Sequence, residues 1–458
     1  MTASIASRNI AAPRHRLYTQ LRALSRDPLN TLDDIRRLYG DELLQLDLGL
    51  FRPVLATRPE HVEHVWKNSR ELYLREGMMW TAMHRLQGGD GIGADGKGWE
   101  ASRRIIQPLF TAKAVNALIP GMVKAVNEAV DQLAHRIGGG GTVDLTEEMM
   151  RITHRVLGRV LLGDVISSAE ADTVGHEIAV AFGSMKARLA LPFVPHRFPL
   201  PGDRRFRSAV RTVDAILQPH IARARADALR ADVVSMLAHA TDDNGQHMDT
   251  QRVRDDMVGL FTGGTETTAL ALTWTIVLLD AHPEITERVR AEIRGVMGDG
   301  TVAGEHVKRL EYTRMALDES LRLYPPAWMI PRTLQAPDEL GGLSLPAGTT
   351  VILSPYMTHR MPHLWEQPDR FDPERFAPGR PKGRHPYAYF PFGGGVHRCL
   401  GQHFFSIESA LALAALLSRF RMTLASPLPI RPTVSISLRP QHTVRVTLTP
   451  ISRDTIAR

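Results

Sequence analysis

The chain has 458 residues, 43% hydrophobic and 23% charged, with a formal net charge of +7. It holds a single cysteine, which excludes an internal disulfide, a cysteine-based zinc site and an iron–sulfur cluster. Its Arg residues are spread along the chain among Asp and Glu, so the positive balance reads as a solvated surface and no nucleic-acid partner is expected.

Length alone suggests about three domains. No linker, internal repeat or low-complexity block divides the sequence, so a single domain over 1–458 is expected. The first residues carry scattered Arg without an apolar core of signal-peptide length, and no run of about 20 apolar residues is seen. A cytoplasmic protein with no membrane span is the expectation.

Thr31 to Tyr39 reads as a short amphipathic helix, Leu43 to Leu48 and Phe51 to Ala56 as two strands, and Pro59 to Asn68 as a helix opened by proline. Arg75 to Lys97 is glycine-rich and lacks periodicity, which predicts an apolar loop of the kind that lines pockets; Met78, Met79 and Trp80 lie in it. A helix is expected from Gly98, with Trp99 and Arg103 on one face. Helical patterns follow from Ala114 to Ile137, then a short strand over Thr142 to Leu145 and a helix from Thr146. Leu189 to Pro201 is too rich in proline for a helix and too apolar for an ordinary surface loop.

Asp255 to Ala281 predicts a helix roughly 40 Å long, ended by Pro283. It is apolar nearly all round, yet its middle reads Gly263-Gly264-Thr265-Glu266-Thr267-Thr268. Two buried glycines weaken a helix by about 1 kcal/mol each, and a buried Glu costs more unless paired. Close packing through glycine would not also call for Glu266, so a functional defect, often marked by a local bulge, is the preferred reading. Tyr312 to Tyr324 is a further helix, with Glu319 and Arg322 on one side. Ala327 to Arg332 leads into a strand, two short strands are expected over Leu343 to Leu353 and a final one over His442 to Leu448, and Pro432 to Pro440 alternates around a turn with Val434 to Ile436 at its tip.

The sole cysteine, Cys399, sits in Phe390-Pro391-Phe392-Gly393-Gly394-Gly395-Val396-His397-Arg398-Cys399-Leu400-Gly401, just before a buried helix over Phe404 to Leu417. A helix N-terminus favours thiolate over thiol, and glycines let a flat group approach the backbone. Phe392-x-x-Gly395-x-His397-x-Cys399-x-Gly401 resembles the haem-binding signature of the cytochrome P-450 (haem-thiolate monooxygenase) family. His397 stands where that family most often has Arg, and either residue donates to a haem propionate.

The resemblance covers most of the chain. It implies a mainly α fold with a small β-region, a triangular single domain with a long central helix (255–281) over the haem and the haem-binding loop at 390–401. It further implies haem b ligated by Cys399 beside Phe392 and Gly393, with propionate contacts from Trp99, Arg103, Arg332 and His397. Glu266 and Thr267 resemble the family's acid–alcohol pair for oxygen activation, and Gly263 and Gly264 leave room for dioxygen. Glu319, Arg322 and Arg375 match its structural Glu–Arg–Arg network. Met79, Trp80, Leu260, Phe261, Gly263, Trp328, Ile330 and Val434 are the expected pocket lining. The implied activity is insertion of one atom of O2 into an apolar terpene, steroid, fatty acyl or polyketide-like molecule by a monomer. Electrons come from a ferredoxin or flavodoxin with its reductase. A haem-thiolate isomerase, dehydratase or peroxygenase, or a haem-binding sensor, are the alternatives.

Overall fold

Polar caps and glycine stops set many of the helix ends in this chain. The structure, a computed structural model, describes residues 13–20, 23, 27–49, 51–185, 187–188, 194, 197–230, 232–241, 245–298, 300–379 and 383–451. Its helices are α1 (Pro28–Tyr39), α2 (Pro59–Lys67), α3 (Met78–Gln87), α4 (Gly96–Ile106), α5 (Ala112–Ile137), α6 (Leu145–Leu162) and α7 (Ser168–Ser184). They continue with α8 (Asp203–Ala226), α9 (Val233–His239), α10 (Thr250–Ala281), α11 (Pro283–Met297), α12 (Glu311–Leu323), α13 (Pro355–Thr358) and α14 (Gln402–Arg419). The strands are β1 (Arg14–His15), β2 (Leu44–Leu46), β3 (Val54–Ala56), β4 (Tyr73–Leu74), β5 (Gly141–Asp144), β6 (Ile330–Leu334) and β7 (Asp338–Leu340). After them come β8 (Leu343–Leu345), β9 (Thr350–Leu353), β10 (Phe420–Leu424), β11 (Pro432–Val434), β12 (Leu438–Pro440) and β13 (Arg445–Pro450). The protein is mainly helical with small sheets, as its sequence implies.

Thr111 opens α5 by accepting from the Ala114 N–H, Asp144 opens α6 from Glu147, and Asp249 opens α10 from Arg252. Ser167 and Glu170 form a reciprocal capping box at the head of α7. The Asp249 cap starts α10 five residues earlier than the apolar pattern suggests, at Thr250. One expectation is corrected. The stretch 75–97 is not all loop, because α3 lies inside it. Its glycines are confined to the flanks, with Gly77 and Gly88 at positive φ on either side, while 78–87 itself has none.

Contacts gather the chain into two compact units. The first comprises the described residues of Met1–Thr81, Glu319–Cys399 and Arg431–Gln441. Its six-stranded sheet runs β1-β2-β3-β9-β6-β4. β3 and β9 are parallel with Val54 opposite Val351, and β9 pairs antiparallel with β6, which sets Arg332 opposite Val351. β7–β8 and β11–β12 are hairpins. One apolar cluster joins Val54, Val65, Trp66, Tyr73 and Phe390; a second joins Leu29, Ile35, Leu46, Trp328 and Leu438.

The second unit holds the described residues of Ala82–Asp318, Leu400–Ile430 and His442–Arg458. Here α6 packs along α10, α7 pairs with α8, and β10-β13-β5 form a small sheet. α14 is buried almost continuously from Ile407 to Leu417. The stretch Gly395–Arg419 is long and apolar enough by composition to cross a membrane, contrary to the sequence expectation, and so is the bent pair Gly96–Phe110 and Ala112–Ile137 taken together. The apolar window of the first is 67% buried inside the protein, which is how a core helix behaves.

Candidate active site

The cysteine loop is shaped by its own backbone. Gly393 N–H donates to Phe390 C=O (3.0 Å), and Cys399 N–H donates back to Phe392 C=O (2.9 Å). Gly395 sits at φ 59°, and a Cβ there would lie 2.2 Å from the Trp66 carbonyl oxygen, so only glycine fits. A Cβ on Gly394 would meet Tyr387 at 2.5 Å and the Trp66 ring at 2.9 Å. His397 ends a short 3-10 turn and is half-buried, whereas Arg398 and Cys399 are exposed. The helix that follows begins at Gln402, two residues earlier than its apolar pattern suggests.

Behind this loop lies a buried polar network. Arg322 grips Glu319 with both arms, Nε to Oε2 at 2.6 Å and Nη2 to Oε1 at 2.8 Å, and both side chains are fully buried. Arg375 Nε reaches Glu319 Oε1 at 3.2 Å, and the Asp372 N–H donates to the same oxygen at 2.9 Å. Arg322 also donates to the carbonyl oxygens of His359 (2.8 Å), Pro368 (2.6 Å) and Arg370 (3.2 Å). Burial pulls its guanidinium below the usual value.

His359 carries this network to the loop, and no sequence signal singled it out. Its Nε2 accepts the Phe390 N–H at 2.9 Å, so that nitrogen is unprotonated. Full burial, with Arg322 and Arg360 nearby, holds the imidazole well below its ordinary value. The ring lies against Tyr389 and Phe390, with centroids 5.2 and 5.4 Å away.

Arg332 is buried between two indoles, 4.8 Å from the Trp66 ring centroid and 5.6 Å from that of Trp80. Its Nη1 donates to the Pro331 carbonyl at 2.8 Å, and Trp80 Nε1 donates to the same oxygen at 3.0 Å. Trp66 is the other residue missed by sequence reasoning; a lone Trp on an amphipathic helix reads as core. Trp328 is buried, donates from Nε1 to the Ser435 carbonyl (3.0 Å), and shares an apolar cluster with half-buried Val434. Ile330 packs on the other cluster, beside Trp66 and Phe390. The side chain of Met79 lies outside the described residues.

In the second unit, Trp99 is buried and Arg103 half-buried, one turn apart on α4. Arg103 Nε donates to Gln107 at 2.9 Å. On α10, Phe261 is buried, and Leu260, Glu266 and Thr267 are half-buried. The two glycines of α10 differ. A Cβ on Gly264 would press on Leu157 at 2.8 Å, while one on exposed Gly263 would meet nothing within 4 Å. Thr267 Oγ1 donates to the Gly263 carbonyl at 2.6 Å and Thr265 Oγ1 to that of Phe261 at 2.8 Å. The bulge anticipated here is absent: α10 is α-helical from Thr250 to Ala281. Of the stretch Leu189 to Pro201, residues 189–193 and 195–196 lie outside the described residues. Buried Arg188 donates to the carbonyls of Val194 (2.9 Å) and Phe198 (2.6 Å) and pairs with Asp203.

Among the described residues no group of three or more His, Cys, Asp or Glu is placed to hold a metal ion. One exposed thiol beside glycines suits an iron already held by a macrocycle, which needs a single axial ligand from the protein. It does not suit a bare ion, which needs several.

The Cytochrome P-450 family profile matches residues 13–447. The chain belongs to the cytochrome P-450 family. Cyclooctat-9-en-7-ol 5-monooxygenase of Streptomyces melanosporofaciens is 34% identical over 403 residues, covering 87% of this chain and 86% of that one. Pentalenene oxygenase of Streptomyces avermitilis is 27% identical over 427 residues, 93% of this chain and 94% of that one. The crystal structure of a cytochrome P-450 haem domain shares the fold, with a TM-score of 0.84 at 23% identity, covering 98% of this chain and 99% of that one. A cytochrome P-450 from Thermus thermophillus gives 0.75 at 28% identity, over 96% of this chain and 100% of that one. This P-450 is therefore an oxygenase that binds haem and uses O2 on a small molecule.

Proposed function

We propose that this P-450 inserts one oxygen atom of O2 into an apolar terpene-like substrate, working as one haem domain, a cytoplasmic monomer fed by a separate ferredoxin or flavodoxin and its reductase. The observation that carries the substrate class is the set of bacterial relatives matched nearly end to end, whose names specify cyclooctat-9-en-7-ol and pentalenene as what they oxygenate. The side chains of Phe261, Trp328 and Ile330, all uncharged, agree with an apolar ligand.

In this reading Cys399 ligates haem b beside Phe392 and Gly393, and Trp99, Arg103, Arg332 and His397 hold its propionates. When bound, the haem supplies the dioxygen activation that no side chain can perform. Indole and guanidinium donors suit a carboxylate removed from water, and Arg332 is oriented for that by its two flanking rings. Gly263 leaves open space on α10 where a side chain would otherwise stand. The Thr267 hydroxyl donates a hydrogen bond to the Gly263 carbonyl, which leaves the Oγ1 lone pairs free to accept another hydrogen bond. Glu266, half-buried next to it, takes a proton from solvent on its carboxylate and gives it up to a water that donates a hydrogen bond to Thr267 Oγ1, returning to the carboxylate.

Two measurements test this. Thr267→Ala should consume oxygen with much less product per O2; unchanged coupling refutes its role. Titration with a polycyclic terpene alcohol should shift the haem spin state more strongly than a long-chain fatty acid does. The reverse order overturns the substrate class.

A further inference from the structure

The chain from the end of α3 into α4 is strapped onto the first turns of α10 by three side chains, Arg252, Arg254 and Asp256. Asp256, fully buried, accepts the Ile92 N–H on Oδ1 (2.6 Å) and the Ser102 hydroxyl on Oδ2 (2.7 Å). Arg252 donates to the Gly98 carbonyl and to Ser102 Oγ (3.2 Å), and lies 3.6 Å from the Asp90 carboxylate. Arg254 donates to the Leu86 carbonyl (2.7 Å) and pairs with Asp255 and with Asp214 of α8. The strap lies too close for side chains. A Cβ on Gly88 would sit 2.0 Å from Asp255 Oδ2, and one on Gly91 2.7 Å from Asp256 Oδ1.

We propose that Asp256 is a positioning residue: it clamps the strap 88–98 and α4 to α10, so that the α4 face bearing Trp99 and Arg103 is fixed relative to Leu260–Thr267. Ser102 makes the link direct, since it lies on α4 between Trp99 and Arg103, and Asp256 is one turn before Leu260. Burial pushes the Asp256 carboxyl up to about 6, although Ser102, Ile92 and Arg252 each pull it down. An amide of the same shape keeps the two contacts without the charge: Asn still accepts from Ile92 and can donate to Ser102. Alanine leaves both donors without that oxygen.

The consequence for ligand binding rests on the haem reading given above; the clamp itself does not. The experiment compares holoprotein carrying Asp256→Ala, Asp256→Asn and Ser102→Ala. Amide exchange over 88–98 and absorbance-monitored affinity for 4-phenylimidazole are measured for each. Asp256→Ala should speed exchange about tenfold or more and weaken the azole about fivefold, with Asn restoring both and Ser102→Ala intermediate. Unchanged exchange in Asp256→Ala and Ser102→Ala overturns the clamp. Faster exchange with unchanged azole affinity reduces Asp256 to a structural residue and overturns the positioning role. Should Asp256→Ala fail to fold, Ser102→Ala against Asp256→Asn decides the same question. A wild-type protein without an azole spectrum would fail the haem reading instead, while the exchange arm would still judge the clamp.

Discussion

Glu319→Gln removes one negative charge from between two buried guanidinium groups and keeps the shape. In the native structure the carboxylate accepts from Arg322 twice, from Arg375 and from the Asp372 N–H. The amide must turn its NH2 toward at least one of these donors, and Arg322, fully buried, is left without its counter-charge. Breaking one side of a buried pair costs about 3–5 kcal/mol. If all 458 residues unfold together, with about 2.1 cal/mol/K of unfolding entropy per residue, Tm should fall by about 3–5 °C. Calorimetry and guanidinium unfolding read this, and loss of haem on a desalting column reads its effect at the cysteine loop. Arg322→Lys keeps the charge but cannot reproduce the planar fork and three carbonyl contacts, so it should cost as much. A Glu319→Gln protein within about 0.5 kcal/mol of wild type would show that the pair contributes nothing that water or neighbours cannot replace, and the reasoning would fail.

His359 predicts an acid limb. The native imidazole stays neutral while the unfolded chain takes a proton near 6.5, so the unfolded state binds more protons and stability falls as pH drops through that value. His359→Gln, which can still accept the Phe390 N–H, should flatten the difference in unfolding free energy between pH 5.5 and 8. The remainder should include His154, which burial holds at about 4 with the same sign. An equal slope in the variant would contradict the assignment. Gly395→Ala puts a Cβ against the Trp66 carbonyl at φ 59°, and should cost about 2 kcal/mol or more, with slower haem uptake at unchanged helix content by circular dichroism. A normal Tm and uptake would mean that the loop relaxes freely.

Elements with strong local chemistry are legible in the sequence. α10, α14 and the β11–β12 hairpin lie where apolar runs, Pro283 and alternation put them. α3 was missed because the glycines around it mask a ten-residue stretch without any. The site divides in the same way. Cys399 and the Glu266–Thr267 pair stand out because no packing argument explains them. Trp66 and His359 were invisible, since their roles depend on contacts far along the chain, to Gly394, Arg332 and Phe390. The i, i+3 spacing of Glu319 and Arg322 is by itself as common on surfaces as in cores; only the family resemblance marks the two, with Arg375, as a network, and both are fully buried.

The neighbouring glycines of α10 have a practical corollary for anyone wishing to redirect this enzyme. At 264 even alanine must push aside the end of the Leu157 side chain on the adjoining helix, so variation there also repacks that contact. At 263 the helix itself gains from alanine and a Cβ meets no atom of the chain within 4 Å, so folding should tolerate it, and under the function proposed above its cost would fall on oxygen and substrate instead of on expression.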